Sequence, residues 1–401
     1  MGVPTTSMVL CIWFRLALSL DPEVEMNTIT MIQHWGYQAE AVEVTTEDGY
    51  ILQLHHIVSA PNQTGEDKIR PVVFLQHGLL AASDVWVSNL PNESAGFMFA
   101  DAGFDVWLGN SRGNTYGKRN VNLSTATEEF WEFSWDEMAK YDLPASIEVV
   151  LQRTAQSFLY YVAHSQGTTM LFARNSVDGT LKAKVRKHFA LGPVATFKYI
   201  QGLFALMAEY IYPLWQKEIS RFGSSEFFPS NWLTRDLLAE GICSLPILGD
   251  VVCAEFLFSI AGPDTHQLNE SRIPVYIAHL PAGTSSQNML HWFQMTHSGK
   301  TQAYNYGNPR INEKHYGSVF PPLYNISKVN IDTYLFWGDD DYLADPRDVQ
   351  QGLLPFLNPQ ILKGNTQLAN FNHMDFIWGL RAPEEVYRSI IGTIKADWNS
   401  L

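Results

Sequence analysis

Residues 163–167 constrain the fold of this 401-residue chain more than any other segment. An apolar run at residues 158–162 passes directly into Ala-His-Ser-Gln-Gly and then into helix-forming residues. A strand that turns this sharply into a helix needs small residues two positions before and two positions after the serine. Ala163 and Gly167 meet this need, although glycine is usual at the first position. The pattern predicts a nucleophile elbow that presents Ser165 at a helix N-terminus, and an ordinary strand-to-helix turn is the alternative.

Short apolar runs alternate with helical stretches along much of the chain. Their length and composition are typical of buried parallel strands. A hairpin signal precedes them, because two strand-like segments flank Glu47-Asp48-Gly49. The alternation predicts an α/β fold with a mostly parallel, doubly wound sheet. Besides residues 158–162, the runs lie at residues 72–75, 104–108, 188–191 and 333–337.

One long interval interrupts the alternation of strands and helices. Residues 196–325 contain no clear core strand, but they include apolar segments at residues 199–207 and 245–258. We therefore expect a mainly helical insertion that packs over the core as a cap or lid. The core is then divided into residues 21–195 before the insertion and residues 326–401 after it.

The first twenty residues differ from the rest of the chain. An apolar run at residues 8–20 turns polar at Asp21-Pro22-Glu23, which is typical of the apolar region of a signal peptide. The run is too short to cross a bilayer. We interpret residues 1–20 as a candidate signal peptide and expect no transmembrane segment.

Sequons and cysteines bear on the compartment. Of three cysteines, Cys11 lies in the candidate signal peptide, which leaves Cys243 and Cys253. In an oxidising compartment these two can form a disulfide that closes a small loop, and two free thiols are the alternative. Five Asn-x-Ser/Thr sequons favour a secreted or lysosomal protein. Their asparagines are Asn62, Asn92, Asn122, Asn269 and Asn325.

Charge and motif content exclude two classes of function. The net charge is −14 and the chain has no basic cluster, so we expect no nucleic-acid partner. Neither Cys-x-x-Cys nor His-Glu-x-x-His spacing occurs in the sequence, and no metal site is predicted.

A serine nucleophile in acyl transfer requires a general base and a carboxylate that orients the base. In α/β hydrolases these residues follow the serine in the order Asp or Glu, then His. An acidic turn follows the last predicted strand, and spacing alone does not choose among Asp339, Asp340 and Asp341. His373 is the only histidine after this turn. It is therefore the base if the chain contains a triad.

The segment Gln76-His77-Gly78-Leu79 follows the first predicted core strand. A His-Gly turn in this place resembles the oxyanion loop of lipases and esterases. Backbone N–H groups suit this task because they need no reorganisation when the oxyanion forms. We predict that the N–H groups of Leu79 and Gln166 are the two donors.

Together these segments resemble the acid lipases, the family of gastric and lysosomal lipases. The resemblance covers nearly the whole chain from Asp21 onward. It is carried by long blocks in the same order. These are Asp21-Pro22-Glu23-Val24, His34-Trp35-Gly36-Tyr37 and residues 46–52, 75–80, 107–116, 136–145, 343–346 and 372–378.

The resemblance implies an α/β-hydrolase fold with an inserted, mainly helical cap or lid. The family pattern places the catalytic aspartate directly before an x-Leu-Ala-Asp-Pro string, which selects Asp341. It also implies that Ser165 is the nucleophile and His373 the base, without a metal or organic cofactor. The family often has three cysteines in the lid region, whereas this chain has two, with Ala261 near the place of the third.

The function that this resemblance implies is a serine lipase acting at a lipid–water interface. Its substrates are neutral lipid esters, namely triacylglycerols and cholesteryl esters, and hydrolysis proceeds through an acyl-enzyme. Two alternatives share the same fold: an acyltransferase with the same triad, and a lipid-binding protein without catalysis.

Overall fold

The computed structural model describes residues 21–61, 69–228 and 248–401, without the side chains of Ser220 and of residues 248–253. The strands are β1 Gln38–Thr45, β2 Tyr50–Ser59, β3 Val72–Gln76, β4 Asp105–Leu108, β5 Arg119–Asn120, β6 Leu159–His164, β7 Val185–Leu191, β8 Glu226–Phe227, β9 Thr284–Ser285, β10 Asp332–Gly338 and β11 Leu362–Leu368.

The longer helices in these ranges are α1 Thr28–His34, α2 Ala95–Asp101, α3 Leu143–Thr154, α4 Gln166–Val177, α5 Gly202–Leu206, α6 Tyr212–Phe222, α7 Leu248–Ala261, α8 Ile273–His279, α9 Ser286–Ser298, α10 Pro309–Tyr316, α11 Asp375–Trp378 and α12 Arg388–Trp398. Short helical segments lie at Pro22–Val24, Ser83–Trp86, Glu128–Trp131, Trp135–Glu137, Met138–Asp142, Gly179–Ala183, Met207–Ile211, Glu270–Arg272, Ile326–Lys328, Pro346–Asp348, Val349–Leu353 and Pro383–Tyr387.

One sheet organises the described residues. Its strand order is β1-β2-β4-β3-β6-β7-β10-β11, with β5 beside β2. The strands from β4 to β11 along this order are parallel to their neighbours. The predicted hairpin is β1–β2, which pairs antiparallel, and β2 also runs antiparallel to β4. The predicted α/β class with a mostly parallel sheet is confirmed.

Helices cover both faces of this sheet, which explains why its central strands are apolar throughout. All six residues of β6 are buried. Leu159 and Tyr161 pack in one core cluster with side chains of α3 and α4, whereas Tyr160 and Val162 pack in a second cluster with side chains of α2 and α12. A polar residue on either face would lose its solvation without a partner.

The chain between β7 and β10 is mainly helical where it is described. It contains α5 to α10 and a small antiparallel sheet formed by β8 and β9. Among residues 21–61, 69–228 and 248–401, no helix combines the length and the apolar composition that crossing a bilayer requires. The candidate signal peptide, Asn62 and Cys243 lie outside the described residues, as does the side chain of Cys253, so the disulfide stays a prediction.

The parallel strands place several loops together. Because β3, β6, β7, β10 and β11 run in the same direction, their carboxyl ends meet at one edge of the sheet. Open α/β sheets bind their ligands at this edge. The segments that follow these strands contain every residue that the sequence analysis assigned to a triad or an oxyanion hole.

Candidate active site

Ser165 occupies the turn between β6 and α4. Its backbone has φ 53° and ψ −123°, a conformation that a residue other than glycine adopts only where the surroundings enforce it. Hydrogen bonds from its N–H and to its carbonyl hold it there. Its N–H donates to the carbonyl of Leu191 at 3.0 Å, and the Thr168 hydroxyl donates to its carbonyl at 2.7 Å.

The small residues around Ser165 have different tolerances. A Cβ added to Gly167 would lie 2.9 Å from the carbonyl oxygens of Gln76 and His77, so glycine is required there. Ala163 is fully buried and belongs to the core cluster that contains Tyr161. The core therefore accommodates its methyl group, and alanine in place of the usual glycine is compatible with the turn.

His373 and Asp341 form a buried hydrogen-bonded pair. The Nδ1 atom of His373 lies 2.8 Å from Oδ2 and 3.0 Å from Oδ1 of Asp341. Oδ1 also accepts the backbone N–H groups of Leu343 at 2.8 Å and Ala344 at 2.7 Å. These donors fix the orientation of the carboxyl group, which accepts from Nδ1 and so keeps the proton of a neutral imidazole on Nδ1 and leaves Nε2 as a base.

The other two aspartates of the acidic turn point elsewhere. Asp339 is exposed and accepts the N–H of Asn370 at 2.7 Å. Asp340 is half-buried, and partial burial followed by the charge of Asp339 raises its pKa. The structure thus brings Asp341 alone of the three to His373, the pairing that spacing could not select.

Ser165 and His373 line the same cavity. Within the described part of the chain, neither the Ser165 hydroxyl nor Nε2 of His373 has a hydrogen-bond partner, and Nε2 is buried. Catalytic hydrogen bonds of this kind are often long before substrate binds and tighten in the complex. Both groups are therefore free to engage a substrate in the cavity.

The loop after β3 approaches Ser165 closely. A Cβ added to Gly78 would lie 2.8 Å from Cβ of Ser165, so only glycine allows this approach. The next residue, Leu79, also lines the cavity. No backbone hydrogen bond among the described residues uses the N–H of Leu79 or of Gln166, which is the first residue of α4. Both predicted donors thus remain available at the edge of the site.

His77 fixes the conformation of this loop. Its Nε2 accepts the backbone N–H of Ser111 at 3.1 Å, so Nδ1 carries the proton and donates to the Gly78 carbonyl at 2.8 Å. Burial lowers the pKa of His77 to about 4. The ring is neutral above that pH, as this hydrogen-bond pattern requires.

Two further residues contact the pair of His373 and Asp341, and the sequence analysis did not find them. Nε2 of His164 donates to the His373 carbonyl at 2.9 Å, and the two rings lie 4.6 Å apart. Gly192 follows β7 with φ 52°, and a Cβ added to it would lie 3.2 Å from Nδ1 of His373. A glycine directly after a predicted parallel strand is the sequence feature that could have identified Gly192 as a residue of the site.

The cavity has a volume of about 170 Å³ and is lined almost entirely by apolar side chains. Many of them come from residues between β7 and β10. This set comprises Val194, Phe197, Leu203, Phe204, Met207, Phe228, Phe256, Leu257, Ile260, Ala261, Leu280, Pro281 and Trp292. Among the described residues that line it, Ser165, His164 and His373 carry polar side chains, and the indole N–H of Trp292 is already hydrogen-bonded to Gln166. The cavity therefore suits an apolar ligand that presents one reactive polar group to Ser165.

Acidic, histidine and cysteine side chains do not cluster as metal ligands anywhere in the described ranges. Four of the five sequon asparagines are described. Asn92, Asn122 and Asn325 are exposed, whereas Asn269 is half-buried and its side-chain amide donates to Glu93 at 2.9 Å. The three exposed asparagines are sterically open to modification.

Comparisons with known proteins agree with this geometry. A family model described as a partial α/β-hydrolase lipase region matches residues 28–90, and one described as the α/β hydrolase fold matches residues 71–200. The lipase lipl-1 of Caenorhabditis elegans is 49% identical, over 94% of this chain and 93% of its own. The gastric triacylglycerol lipase of Homo sapiens is 46% identical, with the same coverage of 94% and 93%.

A solved structure supports the fold alone. The epoxide hydrolase VrEH1 of Vigna radiata superposes with a TM-score of 0.52 at 13% identity, covering 90% of this chain and 99% of its own. Likeness at this level of identity reports the shared arrangement of strands and helices and leaves the chemistry to the residues of the site.

Proposed function

Because the chain belongs to the α/β-hydrolase lipases, a family of carboxylic ester hydrolases, we propose that it hydrolyses triacylglycerols and cholesteryl esters. The observation that carries the proposal is the buried pair of Asp341 and His373, which opens onto an apolar cavity together with Ser165. The gastric triacylglycerol lipase named above supports the choice of triacylglycerol.

In the proposed reaction, the Ser165 hydroxyl attacks the ester carbonyl and Nε2 of His373 takes its proton. Asp341 holds the Nδ1–H tautomer of His373 and stabilises the imidazolium that forms. The two backbone N–H groups that donate to Asp341 fix the orientation of its carboxyl group during this step. His373 then donates the proton to the departing alcohol, and water repeats the sequence to release the fatty acid from the acyl-enzyme.

The developing oxyanion lies next to the two unpaired backbone N–H groups, those of Leu79 and Gln166. Gln166 adds the positive end of the α4 dipole because it is the first residue of that helix. Preorganised donors of this kind are the largest single contribution in many acyl-transfer enzymes. The fatty acyl chain occupies the apolar cavity, whose lining offers it no polar competitor.

We also propose that residues 196–325 act as a cap and lid over this cavity. Phe256 lines the cavity, yet it is 44% exposed. Leu206, Tyr210 and Leu214 are close in sequence to other residues that line the cavity, and they are more than half exposed. An apolar surface of this kind is favourable only against lipid or another apolar surface. Lipid would stabilise an open form that exposes more of it.

Activity on short-chain triacylglycerol distinguishes a lid from a static lobe. With a lid, the rate should rise abruptly when substrate passes its solubility limit and forms an emulsion. Smooth saturation through that limit would contradict the lid and indicate an esterase of dissolved esters.

The proposed compartment is secretory or lysosomal. Exposed Asn92, Asn122 and Asn325 support it, because glycan addition requires accessible sequons. Glycosidase treatment of the native protein should lower its apparent mass, and the peptides that contain Cys243 and Cys253 should be cross-linked without reductant. An unglycosylated protein with two free thiols would contradict this compartment.

The test of the catalytic proposal combines activity with labelling by a fluorophosphonate probe. Ser165→Ala should abolish labelling and lower hydrolysis by roughly 10³-fold or more, with the fold intact. Asp341→Asn should lower kcat by about 10⁴-fold because it stabilises the wrong tautomer of His373. Asp340→Asn is the matched control and should stay within a few-fold of the unmodified enzyme. A larger loss in Asp340→Asn than in Asp341→Asn would overturn the assignment.

A further inference from the structure

The side chain of Gln166 connects the start of α4 to a helix of the inserted segment. Its Oε1 accepts two hydrogen bonds, from Nδ2 of Asn288 at 3.0 Å and from Nε1 of Trp292 at 2.8 Å. Its Nε2 donates to the Met138 sulfur at 3.3 Å. Gln166, Asn288 and Trp292 are all buried. Asn288 and Trp292 are four residues apart on α9 and therefore lie on the same face of it.

The two donors identify the orientation of the Gln166 amide. The indole of Trp292 can only donate, so the atom opposite it must be the amide oxygen. With Oε1 held by two donors from one helix, the side chain of Gln166 cannot rotate without leaving Nε1 of Trp292 unpaired and Nδ2 of Asn288 with only its hydrogen bond to the Thr284 hydroxyl at 3.1 Å. A buried donor that loses its acceptor bears the full cost of its desolvation.

Helix α9 is itself anchored to the core beside this contact. Oδ1 of Asn288 accepts the backbone N–H of Trp135 at 2.8 Å. Nδ1 of His291 hydrogen-bonds the Ser134 hydroxyl at 3.0 Å, and the His291 ring stacks on Trp135 with centroids 4.4 Å apart. The hydroxyl of Ser285 caps the N-terminus of α9. The hydrogen bonds to Gln166 therefore come from a fixed platform.

We propose that Asn288 and Trp292 are positioning residues that hold the Gln166 N–H in the oxyanion hole. The inference rests on the proposed function, in which that N–H is one of two oxyanion donors. Gln166 directly follows Ser165, whose backbone conformation is strained. Relief of that strain would move the Gln166 N–H, and the anchored side chain of Gln166 opposes this movement. Small displacements matter because misplacing a reacting group by about 1 Å can cost 10²-fold in rate.

The contact also sets a limit on movement in the insertion. If α9 left the core with the rest of a lid, the Gln166 side chain would lose both donors and the oxyanion hole its anchor. We therefore place any opening movement in the parts of the insertion other than α9. The inserted segment then has two tasks, one covering the cavity and one completing the site.

The test compares two tryptophan-to-phenylalanine variants. Trp292→Phe keeps most of the ring volume and removes the Nε1–H that Gln166 accepts. Trp107→Phe in β4 is the matched control, because Nε1 of Trp107 is buried without a hydrogen-bond partner among the described residues and Trp107 is not one of the residues that anchor α9. We expect Trp292→Phe to lower kcat on a short-chain ester by about 10- to 100-fold, below the loss for removing a donor outright, with KM changed less than threefold. Trp107→Phe should stay within threefold in kcat.

A second readout separates positioning from packing. An alkyl boronic acid mimics the tetrahedral intermediate and requires the oxyanion donors, whereas a fatty alcohol of the same chain length fills only the cavity. Trp292→Phe should weaken boronic acid inhibition by the same factor as kcat and change fatty alcohol inhibition less than threefold, since Phe keeps most of the surface that Trp292 presents to the cavity. A loss confined to KM or to fatty alcohol binding, or an equal loss in Trp107→Phe, would overturn the proposal.

Gln166→Met keeps the backbone N–H and the side-chain length but removes the amide, so it provides a second route if Trp292→Phe fails to fold. It should lower kcat by a similar factor, and the double variant Gln166→Met with Trp292→Phe should lose little more than either alone. Additive losses would overturn the proposal. Probe labelling of the unmodified enzyme, abolished in Ser165→Ala, shows in the same experiment whether the proposed function holds.

Discussion

Two residues beside the pair of His373 and Asp341, namely Ser165 and Gly192, have a backbone conformation with positive φ. Ser165 adopts φ 53° at the start of α4, and Gly192 adopts φ 52° after β7. At Ser165 this conformation directs the hydroxyl into the cavity, and at Gly192 it allows the backbone to approach the ring of His373 closely. Gly192 is held by a hydrogen bond from its N–H to the Phe336 carbonyl at 2.9 Å, and its missing Cβ leaves room for His373.

We predict that Gly192→Ala lowers kcat by more than its loss of folding stability alone would cause. Positive φ costs a residue with a Cβ roughly 1–2 kcal/mol, and the new methyl group would also press on the His373 ring from 3.2 Å. We expect kcat to fall about tenfold or more, from steady-state hydrolysis of a soluble ester. Gly317→Ala is the control, because Gly317 has φ 66° and nothing within 4 Å of an added Cβ. Equal kcat in the two variants would contradict the prediction.

At the scale of elements, the end of α7 touches both catalytic loops. The carbonyl of Ala261 accepts the N–H of His373 at 3.0 Å and the N–H of Tyr342 at 3.1 Å. The next residue, Gly262, has φ 132°, and a Cβ added there would lie 2.1 Å from the Asp340 carbonyl oxygen. The junction of the insertion with the core is thus tight where the carboxylate and the base are placed.

Gly262→Ala should disturb this junction. Because the contact is with backbone, the loops that carry Asp341 and His373 must move apart to admit the methyl group. We expect a lower melting temperature together with a loss of kcat of about tenfold or more. Gly103→Ala imposes a positive φ of 90° without a close neighbour, so it should lower stability with kcat unchanged. Full activity in Gly262→Ala would show that this junction does not position the two residues.

The sequence predicts a strand or helix where the pattern of neighbouring residues identifies it. It does not predict an element that depends on contacts with distant parts of the chain. The apolar runs identify β3, β4, β6, β7 and β10, because a strand buried on both faces has no alternative composition. In contrast, β11 lies at the edge of the sheet and alternates half-buried with exposed positions, and the exposed positions are Lys363, Asn365 and Gln367. From sequence alone, without its pairing to β10, this segment is indistinguishable from a polar loop.

The same distinction applies to the site. The turn around Ser165 is visible locally because its geometry demands small residues, and chain order alone selects His373. Asp341 was selected only through the family pattern, and the structure places it against His373. Trp292 could not be found from the sequence, since its contact with Gln166 spans 126 residues and leaves no local pattern. The catalytic roles stay predictions until variants are measured.

At the scale of the whole molecule, an acidic pair lies where the inserted segment meets the core, with Asp136 buried and Glu137 half-buried. Asp136 accepts the N–H of Tyr304 at 2.7 Å and the hydroxyl of Tyr324 at 2.7 Å. Glu137 accepts the N–H of Ser134 at 2.7 Å. Burial, and next the charge of Asp136, raises the pKa of Glu137, while Arg112 opposes the shift. Burial also raises the pKa of Asp136.

This shift makes the stability of the docked insertion depend on pH. A carboxyl whose pKa is higher in the folded than in the unfolded protein binds more protons when folded, so its contribution is complete below the unfolded pKa of 4.5 and is lost as pH rises towards neutrality. Neighbouring His291 acts in the opposite direction, because burial lowers its pKa to about 4. A variant at one carboxyl isolates one contribution from the other.

We predict that Glu137→Gln gains stability relative to the unmodified protein as pH rises from 4 to 8. The amide oxygen can still accept the Ser134 N–H, but the side chain no longer has to stay protonated or ionise beside Asp136. One unit of pKa shift corresponds to about 1.4 kcal/mol, so the difference in unfolding free energy should change by at least about 1 kcal/mol over this range. Chemical denaturation at several pH values measures it, and exposed Glu313→Gln is the control. Parallel profiles for the unmodified protein and Glu137→Gln would show that Glu137 is ionised throughout and that Arg112 outweighs its burial.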